Sequence, residues 1–140
     1  MAERVGPVCR KELADMYFQN NEVRGTLLHT ATRAAAWPDW EKETGVTIKH
    51  AGNIRFEHFY QSLQAAVSGA GIAMGPLALV ADDIAAGALV APRGFIADGT
   101  DYILMTPTGK ANHPVFEALL EWLRNTARET ESIANVHEGP

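Results

Sequence analysis

RFEHFYQSLQAAVSGAGIAMGPLALVADDIAAGALVAP, residues 55–92, is the stretch whose reading decides the fold. It reads as strand, helix, strand, helix, strand, with almost no spare linker. Asn53–Glu57 predicts a short strand. From His58 the apolar period changes: Phe59, Leu63, Ala66 and Val67 fall on one face of a helix. Gly69 and Gly71 end that helix, because glycine accepts the left-handed conformation of a helix exit. Ile72–Met74 predicts a brief strand. Gly75-Pro76 opens a second helix, with proline where a first-turn N–H has no intrahelical partner anyway. Its buried stripe is Leu77, Val80, Ala81 and Ile84, and Gly87 stops it. Leu89-Val90 is the next strand, closed by Pro92.

This alternation predicts an α/β domain with a mainly parallel sheet. In open α/β sheets ligands sit outside the carboxyl ends of the strands. Helix amino ends there offer unpaired N–H groups and partial positive charge. Two such ends fall at Glu57–Phe59 and Gly75–Leu77, so a small polar or anionic guest is expected.

Upstream, Val5–Cys9 reads as a strand, Lys11–Phe18 as a short helix and Gln19–Arg24 as a polar loop. Thr26–His29 is an apolar strand, and Thr30–Ala36 is a loop of small residues holding Arg33. Trp37-Pro38 begins a helix that carries Trp40 and ends at Gly45; a brief strand at Val46–Ile48 follows. Downstream, RGFIADGTD is turn-like and leads to a strong strand at Tyr102–Thr106. Pro114 opens the longest helix, with an apolar stripe of Phe116, Leu119, Leu120, Leu123 and Ala127.

The chain has 140 residues, enough for one domain with a core, and a net charge of -5. That charge argues against nonspecific nucleic-acid binding by this chain, which needs basic patches. A single cysteine, Cys9, excludes an internal disulfide and fits a cytoplasmic location. No apolar run reaches membrane-spanning length, and the amino terminus has no signal-peptide shape. The strand-like VGPVC so near the start is expected to mark a cut domain.

Signs of catalysis are weak. His29, His50, His58, His113 and His137 show no zinc-binding spacing, and helix capping or loop positions are expected for His29 and His58. No G-x-S-x-G elbow is present. The glycines from Gly69 to Gly75 miss the dinucleotide pattern in spacing and follow a helix rather than a strand. Asp82 and Asp83 point apart on a helix, so no metal is expected, and no cofactor. The Trp37/Trp40 pair is expected in the core.

Four runs together carry a resemblance. They are Leu27-Leu28-His29 with Arg33, Trp37 and Trp40; Phe56-Glu57-His58 with Gln64-Ala65-Ala66 and the glycines before Ile72-Ala73; residues 79–92; and Tyr102–Pro107 with the long helix after it. Their order and spacing resemble the effector-binding region of LysR-type transcriptional regulators, in the glycine-cleavage-activator-like branch. The resemblance implies a periplasmic-binding-protein-like (type II) α/β fold. It further implies that residues 1–131 are a fragment of that region, with the second, Rossmann-like subdomain at about 5–95 and a returning strand and helix at about 101–130. Residues 132–140 are expected as a disordered tail.

The implied function is small-molecule effector sensing without catalysis, with DNA bound only through a helix-turn-helix outside this chain. A stand-alone flavodoxin-like enzyme or nucleotide-binding domain is the alternative. A periplasmic solute-binding protein is a third reading, weakened by the missing signal peptide and the short chain.

Loops at strand carboxyl ends supply the expected effector contacts: His29, Thr30, Ala31, Thr32 and Arg33; Glu57, His58 and Phe59; Met74, Gly75 and Pro76. Arg33 suits a carboxylate and Glu57 opposes a simple anion, so an amino-acid-like or carboxylate metabolite is expected. Phe116, Leu119, Leu120 and Leu123 are expected as a homodimer contact, because the implied partner subdomain of their helix lies outside the chain.

Overall fold

The computed structural model describes residues 1–107, 109 and 113–136, apart from the side chains of residues 50 and 134–136. The elements run β1 (Ala2–Arg10), a tight helical turn at Lys11–Leu13, α1 (Ala14–Tyr17), β2 (Phe18–Gln19) and β3 (Glu22–Thr30). A second tight turn at Ala31–Arg33 leads to α2 (Ala36–Thr44), β4 (Thr47–Phe56), α3 (Phe59–Val67) and β5 (Ile72–Pro76). Then come α4 (Leu77–Ala85), β6 (Leu89–Val90), β7 (Ile96–Asp101) and α5 (Pro114–Val136).

Strand alternation divides the interior in two. Successive residues of a strand face opposite sides of the sheet. Leu28 of β3, Ala73 of β5 and Val8 of β1 therefore join Leu63 and Ala66 of α3 and Leu77, Val80 and Ile84 of α4 in one core. Their neighbours Leu27, Ile72, Met74, Val5 and Cys9 turn to the other side and pack with Trp37 and Trp40 of α2. The two indoles meet edge to face at 6.2 Å. The sheet thus lies between helical layers.

The expectation of a mainly parallel sheet is corrected. Among the described residues the strands form one seven-stranded mixed sheet. β3 is parallel to β4 and β5. β1 runs antiparallel to β5, β6 and β7. The polar loop expected at Gln19–Arg24 is instead a hairpin: β2 turns back on β3 through Asn20 and Asn21. Asn20 takes a φ of 52°, which asparagine tolerates better than most side chains.

Two further expectations change. The strand predicted at Tyr102–Thr106 is not in the sheet; β7 at Ile96–Asp101 takes that place. Ala2 lies opposite Asp101, and Tyr102 N–H donates to Met1 O at 2.8 Å. Beyond that bond the described residues offer residues 103–106 no strand to pair with. Gly69 does end α3 with φ +85°, but Gly71 does not take a left-handed conformation. A Cβ there would lie 2.3 Å from Thr26 O, so close passage against β3 is what calls for glycine.

α5 begins at Pro114 as expected and continues to Val136, into the stretch expected as a tail; residues 137–140 lie outside the described residues. Ile133 packs on the α3/α4 core.

Candidate functional site

β3, β4 and β5 run in the same direction, so their carboxyl ends at Thr30, Phe56 and Pro76 share one rim. β1 is antiparallel to them, with Val5 opposite Pro76, so its amino-terminal end reaches the same rim. β7 pairs with that end and carries Ile96, Ala97 and Asp98 outward beside it. A cleft of about 580 Å³ lies along this rim on the α2 side. The turn after β3 and the start of α2 supply Thr32, Arg33, Ala34, Ala35 and Ala36, and α2 adds Asp39, Trp40 and Glu43. Phe59 of α3, Met74 of β5, Val5 of β1 and Ile96, Ala97 and Asp98 of β7 complete the wall.

Arg33 is the hub of the polar side. Its guanidinium donates to Asp98 Oδ2 and, at 3.4 Å, to Glu3 Oε2. Its Cζ lies 5.8 Å from the Phe59 ring centroid, within cation–π range. Glu3 is only 6% exposed, and its other oxygen accepts from Tyr102 Oη at 2.9 Å. Burial, and next the Glu3 carboxylate, push the Tyr102 phenol up to about 12, so it stays a donor at neutral pH. Asp98 Oδ1 accepts from Thr100 N–H at 2.9 Å and Thr100 Oγ1 at 2.7 Å. This chain of bonds ties the β1/β7 pair to the turn after β3.

The predicted site residues divide. Thr32, Arg33, Phe59 and Met74 line the cleft. His29, Thr30, Ala31, Glu57, His58, Gly75 and Pro76 are not among the lining residues. His29 Nε2 meets Asn53 Oδ1 at 2.7 Å and its ring lies beside Trp37. His58 precedes α3, stacks on Tyr60, and its N–H donates to Gln61 Oε1 at 3.2 Å. Gly75 and Pro76 are buried within β5, and Glu57 is exposed between β4 and α3.

Sequence reasoning missed Glu3, Asp39, Glu43, Ile96 and Asp98. A parallel β1 would have put Glu3 at the opposite rim. The signal that was available was Asp39 and Glu43 at i, i+4, flanking Trp40 on a helix that follows a strand end.

Among the described residues no group of His, Cys, Asp or Glu is arranged to hold a metal ion. Cys9 lies wholly in the core, where burial pushes its thiol up to about 12. No described helix is long and apolar enough to cross a membrane.

Residues 3–128 match the family model described as the LysR substrate binding domain. The chain is 39% identical over 128 residues to the HTH-type transcriptional regulator TrpI of Pseudomonas aeruginosa, covering 87% of this chain and 43% of that protein. It is 30% identical over 142 residues to the HTH-type transcriptional regulator DsdC of Escherichia coli, covering 93% and 45%. Among solved structures it resembles the effector domain of AmpR of Pseudomonas aeruginosa, with a TM-score of 0.63 and 24% identity over 92% of this chain and 64% of that one. The AmpR effector-binding domain of Citrobacter freundii gives a TM-score of 0.59 at 17% identity, over 91% and 65%. The fold is thus that of LysR effector-binding domains, periplasmic-binding-protein-like of type II. The chain spans less than half the length of the curated relatives it matches.

Proposed function

The chain belongs to the LysR substrate binding domain family, and from that premise we propose that it senses a small-molecule effector within a transcriptional regulator. The cleft of about 580 Å³ at the strand-end rim supports the reading most directly, because it joins an apolar wall to a few fixed polar groups. Its relatives are transcriptional regulators, and nothing favours the flavodoxin-like enzyme alternative. DNA contact belongs, in this reading, to a helix-turn-helix outside the chain.

The effector, an amino-acid-like or carboxylate metabolite, sits against Thr32, Arg33, Phe59 and Met74. Arg33 also holds Glu3 and Asp98, so a guest that engages it acts on the β1/β7 pair. A ligand shifts a two-state equilibrium only by its differential affinity for the two states. The Arg33 bonds are the groups through which that difference arises. The runs at residues 56–73 and 79–92 support the glycine-cleavage-activator-like branch, a finer placement than the family match carries. The protein acts as a homodimer or higher oligomer, with Phe116, Leu119, Leu120 and Leu123 of α5 at the contact. Val115, Leu119 and Trp122, all exposed on that helix, support this.

A thermal-shift panel of amino acids, purines and small carboxylates tests the sensing reading. The expected result is a rise in Tm that grows with concentration for at least one class. No rise in any class removes effector sensing from this chain.

A further inference from the structure

Asp98 lines the rim cleft from β7, and its carboxylate rests on Arg33, which lines the cleft too. The register of β7 on β1 breaks at this point. Ala97 lies opposite Arg4 and Asp101 opposite Ala2, so residues 98–100 stand against Glu3 alone. A bulge of this kind re-aims a side chain. Gly99 makes the bend with φ +82°, and Thr100 N–H and Oγ1 hold Asp98 Oδ1. Asp98 Oδ2 is thereby left for Arg33.

Arg33 meets two carboxylates, Asp98 through Nη1 and Glu3 through Nη2, and they are not equally free to leave. Glu3 is outside the cleft lining, its side chain is 8% exposed, and its other oxygen accepts from Tyr102 Oη. Taking it off Arg33 strands a buried charge, which costs more than the bond itself. The Asp98 side chain is 15% exposed and opens on the cleft, and its Thr100 bonds do not depend on Arg33. One guanidinium between two carboxylates carries a net negative charge, so a third carboxylate is repelled until one of them moves away. Asp98 is the one placed to move.

We propose that Asp98 sets the specificity of this site: it stands on Arg33 where the effector's carboxylate binds, and a carboxylate guest enters by displacing it. This deepens the effector reading and rests on the rim cleft being the binding site. A tethered competitor acts at high effective concentration. Acetate therefore does not displace Asp98. A carboxylate does so when its apolar body also packs on Val5, Phe59, Met74 and Ile96.

The test is calorimetric titration of the chain with 3-phenylpropionate and with its neutral counterpart, 3-phenylpropionamide, at neutral pH and constant ionic strength. Asp98→Asn, whose side-chain oxygen still accepts from Thr100, binds the acid at least about tenfold tighter than the unsubstituted chain. Asp98→Ser, which also removes the carboxylate, gives a gain of the same sign, so the result does not hang on how one variant folds. The amide binds all three chains within about twofold of one another, which a mere loosening of the cleft would not produce. Adding Arg33→Gln with Glu3→Gln, so that no charge is stranded, removes the gain.

Equal affinity of the acid for the three chains overturns the inference, as does a gain that the amide shares or one that survives the loss of Arg33. If the affinities are equal and Ala35→Trp, which fills the cleft from an exposed position, abolishes binding, the role of Asp98 fails and the cleft remains the effector site. If binding persists in Ala35→Trp, the cleft fails as the effector site and the role of Asp98 fails with it. If the acid binds none of the chains, the role of Asp98 fails, and the thermal-shift panel decides the effector reading separately.

Discussion

Arg33 ties the turn after β3 to the β1/β7 pair through Asp98 and buried Glu3. Its position after an apolar strand marked it as a rim residue with a two-pronged donor. Its own carboxylates were hidden by distance along the chain, with Glu3 30 and Asp98 65 residues away. Arg33 is about one-third exposed, with 32% of its side chain open, while Glu3 is buried. Removing the guanidinium leaves Glu3 with Tyr102 Oη as its side-chain partner among the described residues. Arg33→Ala is expected to cost about 1–3 kcal/mol, the range for a buried group that loses its partner. Adding Glu3→Gln to that variant recovers most of the loss, because the stranded charge is gone. Urea denaturation of the two variants measures this; an unchanged midpoint in Arg33→Ala shows that the pair is incidental.

At the scale of elements, helices were easier to read than strand directions. The stripe Leu77, Val80, Ala81 and Ile84 is buried as its spacing requires, and Gly87 closes the turn after α4 with φ +74°. Periodicity carries no sign of direction, so nothing in Val5–Cys9 announced that β1 opposes β5. Nor did Tyr102–Thr106 disclose that Tyr102 N–H, bonded to Met1 O, is the backbone donor it places against β1 among the described residues. Without an edge to pair with among the described residues, Ile103 and Met105 are exposed despite high strand propensity, while Ile96, less conspicuous in sequence, finds both an edge and a core. On α5, Phe116, Leu120 and Leu123 are half-buried, whereas Leu119 and Trp122 are exposed. If this face joins two copies, light scattering gives a dimer mass, and Leu119→Glu with Trp122→Glu gives a monomer of unchanged helical content. A monomer at high concentration in the unsubstituted chain removes α5 as a contact.

The described residues form a mixed sheet with a core on each side, and the proposed effector cleft lies where strands of both directions meet. Parallel strands bring their carboxyl ends and the helix starts to one rim; antiparallel β1, with β7 beside it, brings carboxylates to the same place. The sequence carried the first half of that arrangement through its α/β alternation, and with it Thr32, Arg33, Phe59 and Met74. The second half depends on chain direction, which a single sequence does not display. In the function proposed, this rim cleft receives the effector. Amide chemical-shift mapping tests it most directly, using isotopically labelled chain titrated with the panel compound that raises Tm most. Saturable shifts concentrated at residues 32–36, 39, 40, 43, 59, 74 and 96–98 are expected. Shifts concentrated elsewhere, with those residues unmoved, contradict it.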